Sequence, residues 1–372
     1  MKLTNKYSVP QMLVDAISKG HWYSGESEKR DYSVTEILNP TKLILLNKRH
    51  YHEVEEDVID SIYKLLGSAV HLVLERAVLD SAKQQMIYRM RDFAQKAEKL
   101  KNASDEDIKA LFRSIVVNDN NGKHIIDLVR SINDEYDFVE KRFKYVTKSG
   151  KIISGGTDHY SSKNKCITDY KLTPIWSWIY RNRTGSKIEE WTKQLNMYRL
   201  FLENAGYEVN RLQTVAIFRD YSKTNASRER NYPNPVEVIE IPLLGLDVVE
   251  QMIENKIAEI EKYTNYSDDD IPICEPKDRW QGKDSYAVMK KGNKRASKVE
   301  YSYAAAKSMV DVEIQKIAEK EIQSGKDAAN AYKKASAMFN IEKRTAKPTR
   351  CISYCPVNSF CNFYKSLPSE LK

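Results

Sequence analysis

The feature that most constrains this chain is a change of hydrophobic period near its middle. Over Phe138–Val146, Ile152–Tyr160 and Lys165–Leu172, apolar and polar residues alternate as they do along half-buried strands. Polar turns at Lys148-Ser149-Gly150-Lys151 and Ser161-Ser162-Lys163-Asn164 separate the three, which therefore form a β-meander. A helical pattern follows over Lys187–Ala205. Strands over Leu212–Arg219 and Val236–Leu243 come next, joined by a polar loop at Tyr221–Pro235. One set of side chains cannot serve both a period of two and a period of 3.6. The segment is therefore expected to be a mixed α/β core, a sheet covered by helices.

The flanks read as mainly helical. Ser33-Val34-Thr35-Glu36 carries the hydroxyl and the nearby carboxylate of a helix N-terminus. Ile59, Ile62, Tyr63, Leu65, Leu66, Val70, Val73 and Leu74 recur at helical spacing within Val58–Leu79. A charged, helix-favouring stretch covers Ser81–Ser131, interrupted at Asn118-Asp119-Asn120-Asn121-Gly122. Beyond the core, Leu246–Tyr263 predicts a helix, an irregular segment runs to Asp284, and a hairpin turns at Lys291-Gly292-Asn293. Helical sequence then extends over Ala304–Phe339. Three regions result: a helical residues 1–135, the α/β core at 136–245, and a helical 246–372. The 372 residues suffice for a large buried core.

Composition narrows the class. No apolar run approaches the ~20 residues of a membrane helix. The opening Met1-Lys2-Leu3-Thr4-Asn5-Lys6-Tyr7 lacks the apolar core of a secretion signal, so a cytoplasmic protein with no membrane partner is expected. The Lys- and Tyr-rich composition suggests a bacterium or a phage-infected host. Sixty Lys and Arg against fifty-two Asp and Glu leave a net charge of +8, which suits a polyanionic partner.

The chemistry concentrates in Gly155-Gly156-Thr157-Asp158 and, ten residues on, Asp169-Tyr170-Lys171. Two carboxylates on neighbouring strands supply the hard oxygen ligands that hold Mg²⁺ or Mn²⁺ against a phosphodiester. The period of two sets Asp169 and Lys171 on one face, where an amine can orient water or meet developing negative charge. Asp-x-Lys alone is common, and taken by itself it reads as a surface hairpin with scattered charge. Two further pairs add context. His71 and Glu75 stand one helical turn apart, ~6 Å between Cβ atoms, and both types ligate metals. Gln194 and Tyr198 stand at the same spacing on the following helix.

Taken in order, G-x-x-x-H-x-x-x-E, G-G-x-D, D-Y-K and Q-x-x-x-Y resemble the RecB-type branch of the PD-(D/E)XK nucleases. The resemblance covers about Ser33 to Arg219. It implies a restriction-endonuclease-like core. It makes His71 a metal ligand, Asp158 and Asp169 metal-bridging carboxylates, the Tyr170 carbonyl a further ligand, and Lys171 the catalytic lysine. Gln194 and Tyr198 match the accessory helix motif, and Glu140 matches a frequently acidic position on the preceding strand. The implied activity is Mg²⁺- or Mn²⁺-dependent hydrolysis of DNA, as an exonuclease on ends or single strands. A structure- or site-specific endonuclease and a catalytically silent DNA-binding scaffold are the alternatives. No helicase P-loop is present, so a helicase or recombination partner would have to open a duplex.

Cys351, Cys355 and Cys361 crowd into eleven residues, and Cys274 is the best fourth thiolate for a zinc ion or an iron–sulfur cluster. Some RecB-type nucleases staple their C-terminus with a [4Fe–4S] cluster through one remote and three clustered cysteines. There the remote cysteine precedes the nuclease motifs, whereas here none precedes Cys166. Cys166 itself reads as a small buried hydrophobe. Trp176, Trp178, Arg181 and Arg183 combine rings and cations suited to unpaired bases and phosphates, although tryptophans packing on the core explain them equally. Lys290-Lys291-Gly292-Asn293-Lys294-Arg295 forms a basic hairpin tip, either solvated or touching a nucleic-acid backbone.

Overall fold

Where the hydrophobic period falls to two, the computed structural model places strands. It describes residues 2–19, 30–78, 80, 104, 137–182 and 186–372. Apart from Ser104, the expected helical stretch over Ser81–Ser131 lies outside the described residues, as does Arg183. The chain forms two units: residues up to Asn39 with Glu55–Asn265, and Pro40–Val54 with Tyr266–Lys372. Residues 40–54, expected in an N-terminal region, thus belong with the cysteine-bearing segment.

The first unit is mixed α/β. Its strands are β1 (Lys2–Thr4), β2 (Tyr32–Ser33), β3 (Glu55–Asp57), β4 (Phe138–Val146), β5 (Ile152–Ser161), β6 (Cys166–Thr173), β7 (Arg211–Phe218) and β8 (Val236–Ile241). β1 and β3 form a small parallel pair. The main sheet runs β2-β5-β6-β7-β8, with β4 paired to the other edge of β5. β6 and β7 are parallel, while β4–β5, β5–β6 and β7–β8 are antiparallel. The parallel pair needs a crossover, and the helices Ile175–Asn182 and Ser186–Asn204 supply it. The first of these occupies the Trp- and Arg-containing stretch that holds Trp176, Trp178 and Arg181. Its apolar Ile175, Trp178 and Ile179 fall at the i, i+3, i+4 spacing that makes a buried stripe.

The helix Ser186–Asn204 lies against β4 through β8. Trp191, Leu195, Met197, Phe201 and Leu202 on it are each at most 1% exposed, so the helix is buried nearly all round. It tolerates one buried amide, Asn196, because that amide is satisfied. Asn196 Nδ2 donates to the Thr192 and Pro242 carbonyls at 2.8 and 2.9 Å, and its Oδ1 accepts from Leu244 N at 2.9 Å. The helix Leu246–Tyr263 then packs on its outer side.

One irregularity positions the site. Along one edge of β5 the β4 ladder runs from Tyr160 to Ile152. Along the other edge β2 pairs with Ile153 and Ser154 and β6 with His159–Ser161. Gly155–Asp158 are left between the two ladders. β5 and β6 part at Asp158, and a cleft opens there.

The second unit has a three-stranded antiparallel sheet, order β10-β9-β11, of β9 (Ser285–Lys290), β10 (Lys298–Glu300) and β11 (Phe339–Arg344). The helical stretch expected over Ala304–Phe339 is two helices, Tyr303–Gln323 and Ala328–Ser336. They are broken at Gly325, whose φ of 87° suits glycine. β11 was not anticipated. Its alternation packs Phe339 and Ile341 against Val288, Ala306 and Val310, a signal only three residues long at the end of the helical reading. Residues 40–54 enter this unit through Leu46 and Val54, which pack with Val357. Lys42, 1% exposed, donates to the Asp268 and Ile271 carbonyls at 2.7 and 2.8 Å.

Candidate active site

Asp158 stands at the last position of β5 before its ladder with β6 begins. Its Oδ2 accepts the Tyr170 amide at 2.8 Å, replacing the backbone acceptor that a continued ladder would offer. Asp169, on β6, is 1% exposed. Its Oδ1 accepts from Lys171 Nζ at 2.9 Å, as the shared face of the strand predicts, and its Oδ2 has no hydrogen-bond partner among the described residues.

Residues 62–78 are helical and bring His71 to the same place. His71 Nδ1 lies 3.1 Å from Glu140 Oε1 and 3.6 Å from Asp158 Oδ1, and Nε2 lies 3.2 Å from the Tyr170 carbonyl oxygen. The candidate ligand atoms of His71, Glu140 and Asp158 all fall within 4.8 Å of one another. Glu140 reaches this trio through a strained backbone: its φ is 49°, in the left-handed region that non-glycine residues rarely adopt. The strain reverses the strand's phase. Phe138 packs beside Phe143, and Lys141 Nζ sits over both rings, although strict alternation would separate Phe138 from the other two.

The spacing on the His71 helix nominated Glu75 as a ligand. Among the described residues the ligand atoms that come together are those of His71, Glu140 and Asp158 and not of Glu75, which lines a small cavity of about 10 Å³ beside His71. A helix carries i+4 along its own axis, whereas the strand crosses beneath and points Glu140 inward.

The electrostatics match a shared cation. Burial first and Asp169 second push the Asp158 carboxyl up to about 7. Burial works against the Lys171 ammonium, but Asp169 and Asp158 outweigh it and its pKa rises above the ordinary lysine value. Burial likewise disfavours the His71 imidazolium, yet Glu140 and Asp158 leave its pKa raised. Two buried carboxylates, an imidazole with an acceptor at each nitrogen, and an orphaned carboxylate oxygen make a donor set that fits a divalent metal.

Gln194 and Tyr198 meet as their spacing predicts. Gln194 Nε2 donates to Tyr198 Oη at 2.9 Å, and burial pushes the phenol up to about 12. Tyr198 also explains Gly155: a Cβ there would lie 2.6 Å from Tyr198 Cε1 and 2.9 Å from Val34 Cγ2. The close approach is made by a side chain of the protein's own second layer.

His71, Glu140, Asp158, Lys171, Gln194 and Tyr198 line one cavity of about 290 Å³, whereas Asp169, expected as a bridging carboxylate, is buried beside Lys171 and is neither in that lining nor in the trio of ligand atoms. Arg30 and Arg142 share the cavity wall, as do Ser33 and Thr35. Ser33 is already engaged, since its hydroxyl caps Glu36 N while Glu36 returns to Ser33 N. Neither arginine was nominated from the sequence. Arg142 could have been: it follows Glu140 by two residues on a strand and so shares its face. Arg30 precedes any periodic segment and carries no such signal.

Of the residues nominated for nucleic acid, Trp176 is 40% exposed, while Trp178 is 8% exposed and stacked on Trp191 at 5.4 Å. Trp178 is therefore a core residue and unsuited to base stacking. Arg181 is the penultimate residue of its helix, and its side chain and the whole of Arg183 lie outside the described residues. Cys166 is buried, as expected. In the second unit, Cys274, Cys351, Cys355 and Cys361 gather. Burial, then Cys361 and Cys355, push the Cys274 thiol up to about 11, and burial, then Cys355 and Cys274, push Cys351 up to about 12.

No family model matches this chain, and no curated protein matches it. Among solved structures, that of SSO0001 aligns over 67% of this chain and 84% of its own length, at 14% identity and a TM-score of 0.35.

Proposed function

We propose that this protein is a divalent-metal-dependent deoxyribonuclease with a restriction-endonuclease-like core of the PD-(D/E)XK, RecB-type kind, acting on DNA ends or single strands. One observation carries the reading. His71, Glu140 and Asp158 bring their ligand atoms together in a cavity also lined by Lys171 and two arginines, and the buried Asp169 stands behind them, bound to Lys171 and close enough to perturb Asp158.

His71, Glu140, Asp158 and Asp169, with the Tyr170 carbonyl, would hold Mg²⁺ or Mn²⁺. The metal would supply Lewis-acid polarisation of a phosphodiester oxygen and a more acidic bound water. The chain's own groups divide the remaining work. Lys171, whose charged form Asp169 and Asp158 favour against its burial, would meet developing negative charge on phosphate. The Gln194–Tyr198 pair buttresses β5 at Gly155 and fixes the carboxylates' approach. Arg30 and Arg142 suit phosphates flanking the scissile one, because a guanidinium meets two phosphate oxygens at once. Trp176 and Arg181 suit an unpaired strand leaving the site.

In the second unit the four cysteines suit a structural metal that closes the C-terminal segment. An iron–sulfur cluster or a zinc ion would each take four such thiolates. Anaerobic protein with broad visible absorbance supports the cluster, whereas colourless protein carrying one zinc removes it.

The test of the main reading is a digestion panel with Mn²⁺ or Mg²⁺: end-labelled single strands, duplexes and covalently closed single-stranded circles. The expected outcome is degradation of ends with circles intact, abolished by Asp169→Ala while DNA binding survives. Cleavage of circles would make the enzyme an endonuclease. A wild-type protein inert on every substrate with either metal would end the proposal and leave a DNA-binding scaffold.

A further inference from the structure

The charge of this protein is not evenly spread. Residues 285–344 hold thirteen Lys and Arg against seven Asp and Glu, a net +6, in a chain whose total is +8. That segment is the β9–β10–β11 sheet with its two helices. It has its own apolar contacts, Val288, Ala306 and Val310 with Phe339 and Ile341, continuing into Ala318, Ala331 and Ala335.

Within it the β9–β10 hairpin concentrates cations without counter-charge. Lys290, Lys291, Lys294, Arg295 and Lys298 fall within nine residues, and no acidic residue intervenes. All but the half-buried Lys290 are exposed, and none forms an ion pair among the described residues. By contrast Lys316, Lys326, Lys334, Lys343 and Arg344 of the same segment all have carboxylate partners. The loop is held in shape. Ser297 N and Oγ both donate to the Val288 carbonyl at 2.9 Å, Lys291 N donates to the Met338 carbonyl at 2.7 Å, and Gly292 turns the chain at a φ of 89°. Like charges gathered on one short hairpin repel one another, and a polyanion relieves the repulsion while releasing its own counterions.

We infer that this hairpin is a second nucleic-acid contact, which grips the phosphate backbone of duplex DNA without reading its sequence. A two-stranded ribbon fits the major groove, and lysines outnumber arginine four to one, as suits point-charge contacts to phosphate. An acidic membrane is the competing polyanion. The tip between Lys290 and Lys298 offers it only Gly, Asn, Ala and Ser, with no large apolar side chain to enter the headgroup layer. The inference extends the proposed DNA partner but does not depend on the cleavage site.

The experiment is fluorescence anisotropy of the full chain with a labelled blunt duplex in EDTA, where metal-dependent cleavage cannot proceed. Two variants are compared with wild type: one with all five cations changed to Gln, and one with the four lysines changed to Arg. The expected result is a loss of ~10-fold or more in affinity for the Gln variant, with a salt slope shallower by about three or more. The Arg variant retains both, and both variants keep the wild-type melting transition. Unchanged affinity and slope in a folded Gln variant would overturn the inference. So would a loss of binding confined to phosphatidylserine vesicles, which would assign the hairpin to a membrane. A nuclease-inactive wild type that still shows the Gln effect would defeat the site reading and leave this one standing.

Discussion

Lys171 illustrates how neighbours choose a residue's role. A lysine beside carboxylates can act as base or as fixed cation, and the buried Asp169 at 2.9 Å favours the cation. Lys171→Gln is therefore expected to lower kcat for metal-dependent DNA degradation by ~10²- to 10³-fold, the scale for losing a preorganised charge in a buried site. Arg142→Gln, farther along the cavity wall, should instead raise KM with kcat less affected, because it holds a phosphate that does not react. Steady-state kinetics on a labelled single strand separate the two patterns. Equal kcat losses from both would remove the distinction drawn between them.

At the scale of elements, the site exists because β5 serves two partners in succession. Gly155–Asp158 lie where β2 has ended and β6 has not begun, and the Ser186–Asn204 helix presses Tyr198 into that gap. The two adjacent glycines are consequently unequal. A Cβ at Gly155 meets Tyr198 at 2.6 Å, whereas one at Gly156 meets only Arg142 Cγ, at 3.7 Å. Gly155→Ala should cost about 1–3 kcal/mol of stability through overpacking, and should depress activity by displacing the Gln194–Tyr198 pair. Gly156→Ala should be nearly neutral in thermal melts. Equal behaviour of the two would contradict the packing described.

On the scale of the whole molecule, the chain leaves its first unit at Asn39, lends residues 40–54 to the second, and returns at Glu55. The lent segment is held by ionic as well as apolar contacts. His50 Nε2 lies 2.6 Å from Asp268 Oδ2 and Nδ1 2.7 Å from Glu53 Oε1, its ring stacks on Phe360 at 3.9 Å, and Arg49 reaches Asp268 at 2.6 Å. Burial lowers the His50 pKa, but the bonds to Asp268 and Glu53 outweigh it and leave the value raised. A raised histidine pKa contributes stability that is full below the unfolded value of about 6.5 and is lost as pH rises through the folded value. Asp268, held low by the same partners despite its burial, stays ionised through that window. Melting of the wild type should therefore drop by a few degrees more than that of His50→Gln between about pH 6 and 9. Parallel pH profiles would show that the pair contributes nothing.

The sequence by itself determined the periodic elements. The three meander strands, the helices at 186–204 and 246–263, and the Lys291 turn are local patterns, and local patterns record which face each residue must bury. It also determined the contacts that one element makes within itself, such as Asp169 with Lys171 and Gln194 with Tyr198, because fixed spacing sets their distance. Only the tertiary structure decided the rest. Glu140 displaced Glu75, Arg30 and Arg142 joined the cavity, Trp178 went to the core, and residues 40–54 joined the cysteine segment. Each of these depends on which elements cross and at what angle, information that no single period carries. The strain at Glu140 has the same origin: a left-handed glutamate is unfavourable locally and persists because the surrounding sheet and the His71 helix hold it there.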